Sequence, residues 1–264
     1  MATASGNIDK LNQISKRLDA NIIGKLTYLP RCMGSKIATK ENSILVNTGI
    51  PCDMFNVACL TDCGADLKSI ANFFSNLPFA WWVGFGNNLE KYRSKLEKFG
   101  LKNPEIESGM YADITKTSGV SDCGILSTFQ VTDLRSLQDF IEVYKKLIPA
   151  DAKAIEQFYL SASPFILKNN SPLKLFVGYV DHQPAATAAL FLHADVAGIW
   201  DVTTLPDFRK VGIATSMVRR ALFYAHDKHN YRTGILTATE SGEEIYQKLG
   251  FQKIKEFFVF NVST

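Results

Sequence analysis

The chain has 264 residues, of which 29 are basic and 26 acidic, and its formal net charge at neutral pH is +3. This length can hold one large domain or two ordinary ones, each with a sizeable core. The two charge signs are interspersed without a long run of either, so the sequence gives no reason to expect a nucleic acid as the partner.

The sequence also argues against membrane and metal-binding classes. Its N-terminal segment lacks the basic region and apolar stretch of a signal peptide, and its longest apolar runs, near 77–85 and 184–192, fall short of the ~20 residues that span a bilayer. The cysteine count is odd, includes no Cys-x-x-Cys pair, and favours reduced thiols. We therefore expect a cytoplasmic protein without a metal site. The cysteines are Cys32, Cys52, Cys59, Cys63 and Cys123.

Helix and strand patterns begin in the N-terminal half, so this half is not expected to be a disordered tail. Apolar residues at helical spacing from Ile8 to Ile22 predict an amphipathic helix. Further helices are predicted at 66–77 and 88–99, on either side of a strand at 78–83.

The C-terminal half divides into closely spaced elements. In chain order we predict a strand at 126–131, a helix at 134–147 ended by Pro149, a helix at 152–160, strands at 173–180, 185–192 and 199–205, a helix at 212–226, a strand at 234–238, a helix from Ser241 and one or two strands at 251–261. The helix at Ser241 is expected to begin with a capping box that includes Glu244.

One turn within this half has the layout of an anion-binding site. Thr203 and Thr204 favour an extended strand, Pro206 ends it, and Arg209-x-x-Gly212-x-Ala214 opens the following helix. The first amides of a helix have no internal partners and, with the helix dipole, attract phosphate. Neither a P-loop string nor a dinucleotide-binding Gly-x-Gly-x-x-Gly occurs here.

This turn resembles the pyrophosphate loop of the GNAT acetyltransferases, which reads Gln/Arg-x-x-Gly-x-Gly/Ala between the fourth strand and the third helix. A second match follows in the expected order. The segment Ser241-Gly-Glu-Glu-Ile-Tyr-Gln-Lys-Leu-Gly-Phe251 resembles the family's fourth helix with its closing Gly-Phe, and Tyr246 falls on the family's usual tyrosine. The resemblance runs from about Gly124 to the C-terminus.

The resemblance implies a GNAT-like α/β fold, with a mixed, mostly antiparallel sheet flanked by helices and splayed near its fourth and fifth strands. It also implies acetyl-CoA as the cofactor. The residues expected to bind it are Val202, Thr203, Thr204, Arg209, Lys210, Val211, Gly212, Ile213, Ala214, Thr215 and Thr239.

Acetyl transfer from a thioester to an amine needs a proton for the departing thiolate and a neutral amine. A phenol is a plausible donor to a thiolate, because the two groups titrate near pH ~10 and ~8.5. Tyr246 is the candidate, and its alternative role is packing against Phe251. Asp201 is the candidate base, although it can equally be a hydrogen-bonded strand residue. Glu240, also near the proposed cleft, is more simply a helix-start residue.

The N-terminal half contains an echo of the C-terminal one. Lys98-Phe-Gly-Leu101 resembles Lys248-Leu-Gly-Phe251, each after a predicted helix. We interpret the chain as two tandem GNAT-like domains, 1–121 and 122–264, of which the first has no pyrophosphate-loop motif and is degenerate. Pro78-Phe-Ala-Trp-Trp-Val-Gly84 resembles an element of bacterial two-domain GNAT proteins. Its tryptophans are either core residues or a wall of the substrate cleft.

Two function classes follow from these observations. The first is an acetyl-CoA-dependent N-acetyltransferase that acts on a primary amine of a small molecule, protein or peptide in a ternary complex. The second is a non-catalytic module that binds CoA or a protein partner. Neither the acceptor nor the oligomeric state has a sequence motif.

Overall fold

The structure is a computed structural model that describes residues 4–61, 64–86, 89–116 and 123–262. In chain order its helices are α1 (Ala4–Cys32), α2 (Leu67–Ala71), α3 (Leu89–Lys98), α4 (Leu134–Leu147), α5 (Ala152–Ile166), α6 (Ile213–His229) and α7 (Glu240–Lys248). Its strands are β1 (Lys36–Lys40), β2 (Ser43–Asn47), β3 (Val57–Leu60), β4 (Phe79–Val83), β5 (Glu105–Asp113), β6 (Ser127–Gln130), β7 (Leu173–Val180), β8 (Gln183–His193), β9 (Val196–Thr204), β10 (Thr233–Thr239) and β11 (Gln252–Val262).

The chain forms two compact units, and neither is one continuous segment. Unit 1 consists of Met1–Met110, Thr237–Glu243 and Lys253–Thr264, and unit 2 consists of Tyr111–Leu236 and Glu244–Gln252. The boundary predicted between residues 121 and 122 lies outside the described residues. The division into two tandem GNAT-like domains therefore stays a prediction.

Unit 1 is a mixed sheet with strand order β1-β2-β3-β4-β11-β5. The β3 and β4 strands run parallel, whereas β11 is antiparallel to β4. A cluster of buried aromatic and aliphatic side chains forms its core, including Phe74, Trp81 and Phe258. Trp81 is fully buried, so of the two roles foreseen for it the core role applies. Trp82 is half-buried and packs against Phe257.

Unit 2 is a mixed, mostly antiparallel sheet with strand order β10-β9-β8-β7-β6. Among its described residues, β9 and β10 pair in parallel, and the other neighbouring strands pair antiparallel. The β7 and β8 hairpin turns through Asp181 and His182, whose φ angles of 48° and 63° suit the tight turns that match strand twist. Helices α4 and α5 pack together, and α6 packs on β8 and β9. The predicted fold class, a mixed sheet flanked by helices, is confirmed.

Some predicted boundaries were wrong. The helix expected at 66–77 is only the short α2, followed by one 3-10 turn, because Ser75 and Asn76 adopt left-handed conformations with φ of 52° and 67°. The capping box expected at Ser241 does not start α7. That helix begins at Glu240, and the Ser241 hydroxyl lies 3.2 Å from the Thr239 hydroxyl.

The echo between the two halves has a structural counterpart in how α3 and α7 end. Gly100 and Gly250 both have positive φ, 104° and 88°. In each case the next residue's amide reaches back to the helix, from Leu101 to the Leu96 carbonyl and from Phe251 to the Tyr246 carbonyl. This is the hydrogen-bond pattern of a glycine-terminated helix.

Within the described part of the chain, no disulfide and no group of metal-ligating side chains is present. No helix of that part has both the length and the apolar character needed to cross a membrane.

Candidate functional site

The β9 strand carries a β-bulge at the position where the sequence predicts ligand contacts. Trp200 pairs with Ala189 of β8, and Thr203 pairs with Thr187 of the same strand. The two residues Asp201 and Val202 therefore lie opposite a single residue of β8. Asp201 has a φ of 54°, a left-handed conformation that aspartate tolerates better than most residues. A bulge of this kind leaves backbone groups of the strand outside the regular ladder.

The pairing of β9 with β10 on its other edge ends close to this bulge. Among the described residues, its parallel pairing with β10 runs from Ala197 to Ile199 and stops. The last five residues of β9, Trp200 to Thr204, continue past that pairing. The backbone of Val202 to Thr204, beyond the end of this pairing, is suited to hold a ligand. The predicted contacts Val202, Thr203 and Thr204 are half-buried on it.

Thr204 adds an independent indication of a ligand. Its hydroxyl oxygen is buried and has no hydrogen-bond partner in the described structure. A buried polar atom without a partner is destabilising, so a polar ligand group at this position would satisfy it.

The loop after β9 leads into an open helix N-terminus. Gly212 is the N-cap of α6, with a φ of 87° and no side-chain capping bond, and a Cβ at this position would meet nothing within 4 Å. The first turn of α6 contains no acidic residue. Its amides therefore present the positive end of the helix dipole to an anion.

The remaining predicted loop residues differ in exposure. Lys210, Val211 and Gly212 are exposed, Ala214 and Thr215 are half-buried, and Ile213 is buried in the core. Ile213 can contribute its backbone amide to a ligand but not its side chain.

Arg209 has a more constrained position than the sequence suggested. Its Nε donates a hydrogen bond of 2.9 Å to the Thr204 carbonyl oxygen, so the side chain braces the turn between β9 and α6. The guanidinium has four further N–H donors. Arg209 is thus able to stabilise the loop and contribute positive charge at the same time.

Cys123 contacts the loop and the first turn of α6, and the sequence did not predict these contacts. Its backbone amide donates to the Ser216 hydroxyl at 2.9 Å, and its Sγ lies 3.1 Å from the Val211 carbonyl oxygen. Both contacts fix the loop and the first turn of α6. They join residues about ninety positions apart in the chain, and no local pattern signals such a pairing.

Two tyrosines beside Asp201 were also missed as site residues. The Tyr159 hydroxyl lies 3.5 Å from Asp201 Oδ2. Burial, and after it the nearby charge of Asp201, raises the pKa of Tyr144 well above its ordinary value. On the opposite side, the Thr187 hydroxyl donates to the Asp201 carbonyl oxygen at 2.9 Å and lies 2.7 Å from the Thr203 hydroxyl. Asp201 is therefore a hydrogen-bonded strand residue that also borders the proposed ligand site.

Tyr246 lies in the second turn of α7 and is half-buried. Its ring centroid is 6.1 Å from that of Phe251 in an edge-on arrangement, which matches the packing role foreseen for it. Its role as proton donor stays a prediction. Thr239 belongs to unit 1, and Glu240 is the first residue of α7 as expected for a helix-start residue.

Among the described residues of unit 1, no comparable open helix end follows the parallel strand pair. All four residues of β3 pair with β4. The following helix, α2, is capped by the Asp66 carboxylate, which accepts the Lys68 amide, and the Asp66 amide donates to the Glu41 carboxylate. Negative charge already occupies this helix N-terminus, so a phosphate would be repelled there.

Part of the chain is similar to a known protein family. Residues 171–253 match the family model described as the acetyltransferase (GNAT) domain. A sequence comparison with curated proteins gave no match.

Solved structures share the fold at low sequence identity. A GCN5-related N-acetyltransferase from Kribbella flavida is 15% identical, with a TM-score of 0.69 over 93% of this chain and 96% of its own. A functionally unknown conserved protein from Staphylococcus epidermidis is 15% identical, with a TM-score of 0.61 over 88% and 95%. A tandem GNAT protein from the clavulanic acid biosynthesis pathway is 10% identical, with a TM-score of 0.55 over 83% and 78%.

Proposed function

We propose that the chain is an N-acetyltransferase that transfers the acetyl group of acetyl-CoA to a primary amine, since residues 171–253 match the GNAT domain model and the fold resembles that of a GCN5-related N-acetyltransferase. The amine attacks the donor directly in a ternary complex. The observation that carries this proposal is the glycine-started N-terminus of α6, which has no side-chain cap and directly follows the end of β9.

Each part of the donor has a candidate partner in unit 2. The first-turn amides of α6, with Arg209 and Lys210, suit the pyrophosphate. The backbone of Val202 to Thr204 suits the acetyl carbonyl and the oxyanion that forms from it. Acetyl-CoA supplies the activated thioester when bound. Tyr246 is the proposed donor of a proton to the departing thiolate, and Asp201 is the proposed base for the amine.

The donor site is tested by two substitutions at Gly212 that differ only in charge. Aspartate and asparagine both tolerate the left-handed conformation of this position, and there is space for either side chain. The Gly212→Asp carboxylate would repel a pyrophosphate at the helix N-terminus, whereas the Gly212→Asn amide would not. Calorimetric titration should show acetyl-CoA binding weakened at least about tenfold in Gly212→Asp relative to Gly212→Asn.

Equal affinities of the two variants for acetyl-CoA would mean that acetyl-CoA does not bind at this helix N-terminus. If the unmodified protein binds no acetyl-CoA, the enzyme proposal fails. Binding without turnover of any amine would instead favour the non-catalytic CoA-binding module.

A further inference from the structure

Three threonines lie at the end of β9 and on the facing part of β8, and their hydroxyls differ in whether they have partners. The Thr187 hydroxyl donates to the Asp201 carbonyl oxygen at 2.9 Å and lies 2.7 Å from the Thr203 hydroxyl. The Thr204 hydroxyl is buried and has no hydrogen-bond partner in the described part of the chain. Since most buried polar groups are hydrogen-bonded, this exception needs a physical explanation.

The strand register explains why Thr204 does not join the other two hydroxyls. Thr204 pairs with Ala186 of β8, and consecutive strand residues point to opposite faces of a sheet, so its side chain lies on the face opposite to that of Thr203. A Cβ at Gly178, which pairs with Ala186, would lie 2.7 Å from the sulfur of Met217 in α6. The Thr204 hydroxyl is therefore buried on the side of the sheet that α6 covers.

Thr204 also lies between the two ends of the proposed donor site. It is the last residue of β9, after the bulge assigned to the acetyl group and before the helix N-terminus assigned to the pyrophosphate. Its carbonyl oxygen accepts the hydrogen bond from Arg209, which ties this end of the strand to the loop. In acetyl-CoA the pantetheine arm connects the thioester to the pyrophosphate, and this arm contains amide groups. An amide has both a donor and an acceptor, and a hydroxyl can pair with either.

The local structure does not require a hydroxyl at this position. Among the described residues, the Thr204 hydroxyl pairs with neither a backbone group nor a side chain. A valine would have nearly the same shape, would suit an extended strand equally well and would have no polar group to bury. The hydroxyl therefore lowers the stability of the protein without its donor, which is the trade-off expected of a group whose partner is a ligand.

We propose that the Thr204 hydroxyl forms a hydrogen bond with an amide of the donor's pantetheine arm and stays unpaired until the donor binds. This inference rests on the proposed N-acetyltransferase function. The bound donor supplies the missing partner, so the free energy lost by burying the hydroxyl is recovered on binding. Loss of the hydroxyl should consequently stabilise the empty protein and weaken its affinity for the donor.

These opposite effects are measured in Thr204→Val, which replaces the hydroxyl by a methyl group. The melting temperature of Thr204→Val without ligand should be higher than that of the unmodified protein, because no unpaired hydroxyl is buried. In calorimetric titration, its Kd for acetyl-CoA should rise about tenfold. Thr204→Ser retains the hydroxyl and should keep an affinity close to that of the unmodified protein.

Thr187→Val is the matched control for the stability measurement. It removes a hydroxyl from the facing strand that is fully buried but has partners. This substitution leaves the Asp201 carbonyl oxygen without its donor, so the melting temperature should fall rather than rise.

A fragment of the donor identifies which part of it contacts Thr204. The fragment 3′-phosphoadenosine 5′-diphosphate has the pyrophosphate of CoA but lacks the pantetheine arm. Thr204→Val and the unmodified protein should bind this fragment equally. Gly212→Asp should bind it more weakly than Gly212→Asn, because the carboxylate repels the pyrophosphate.

Three results would overturn the inference while leaving the proposed function intact. They are an unchanged affinity of Thr204→Val for acetyl-CoA, a lower melting temperature of empty Thr204→Val, and an equal loss of affinity for acetyl-CoA and for the fragment. Absence of acetyl-CoA binding to the unmodified protein would instead refute the proposed function, and this inference with it.

Discussion

Three residues of the candidate site have left-handed backbone conformations. Asp201, Lys210 and Gly212 all have positive φ, at 54°, 67° and 87°. For a non-glycine residue such a conformation costs about 1 kcal/mol or more, so the surrounding contacts must stabilise it. Asp201 has the two tyrosines and Thr187 for this purpose, and Arg209 braces the turn before Lys210.

The role of Tyr246 is decided by removing its hydroxyl. Tyr246→Phe keeps the ring and its contact with Phe251, so the fold and the affinity for acetyl-CoA should be unchanged. If the phenol protonates the thiolate, kcat should fall about 100-fold in a CoA-release assay.

Tyr111→Phe provides the comparison for this variant. Its hydroxyl is exposed and donates to Gln252 in the same unit, and its loss should not affect turnover. Equal kcat values for the two variants would leave Tyr246 with the packing role only.

At the scale of single elements, α4 shows how local chemistry sets a boundary. The Asp133 carboxylate accepts a hydrogen bond of 2.8 Å from the Ser136 amide. The Ser136 hydroxyl accepts one from the Asp133 amide, which completes a capping box. The helix ends shortly before Pro149, which cannot continue it. Both signals are visible in the sequence, and the predicted and observed limits of α4 coincide.

The cap of α4 makes a testable contribution that depends on pH. The Ser136 hydrogen bonds lower the pKa of Asp133 below its ordinary value of 3.8. A carboxylate with a lowered folded-state pKa contributes stability above its unfolded value and loses it as the pH falls through the folded value. We therefore expect the melting temperature of Asp133→Ala to lie below that of the unmodified protein at neutral pH, with the difference narrowing below pH 3.8.

Asp133→Asn is the control, because its amide oxygen still accepts a hydrogen bond without a titrating charge. The difference in melting temperature between Asp133→Asn and Asp133→Ala should change little with pH. A gap between the unmodified protein and Asp133→Ala that stays constant down to about pH 2.5 would contradict the electrostatic account.

The sequence was a good guide at the loop between β9 and α6, where one segment contains the whole pattern. The pyrophosphate-loop pattern predicted the strand, turn and helix around Gly212 from a single segment. The bulge at Asp201 and its tyrosine contacts were not foreseen, because they depend on β8, α4 and α5. Tyr159 lies 42 residues before Asp201, and within its own helix it reads simply as a core residue. Periodicity shows which face of an element is buried, but not which distant polar group it meets.

At the scale of the whole molecule, the strand β11 determines which fragments can fold. It lies between β4 and β5 in unit 1, although it follows all of unit 2 in sequence. Phe257, Phe258 and Phe260 of this strand are buried. The first half of the chain is therefore incomplete without the last strand.

A fragment of residues 1–121 should fail to fold. Without β11, the edges of β4 and β5 are unpaired and apolar surface is exposed, which favours aggregation. Joining residues 1–110 to residues 253–264 through a flexible Gly/Ser linker should increase the soluble fraction and the circular dichroism signal of folded structure. A cooperative melting transition for residues 1–121 alone would contradict this prediction.

The position of β11 also sets an order of events during synthesis. Ribosomes produce residues 253–262 after every residue of unit 2, so unit 2 has all of its strands while unit 1 still lacks one. The hundred or so residues made first must wait the longest for their final partner. At typical elongation rates of about 5–20 residues per second, that delay is on the order of ten seconds or more. During this interval β4 and β5 are the surfaces that a chaperone would need to cover.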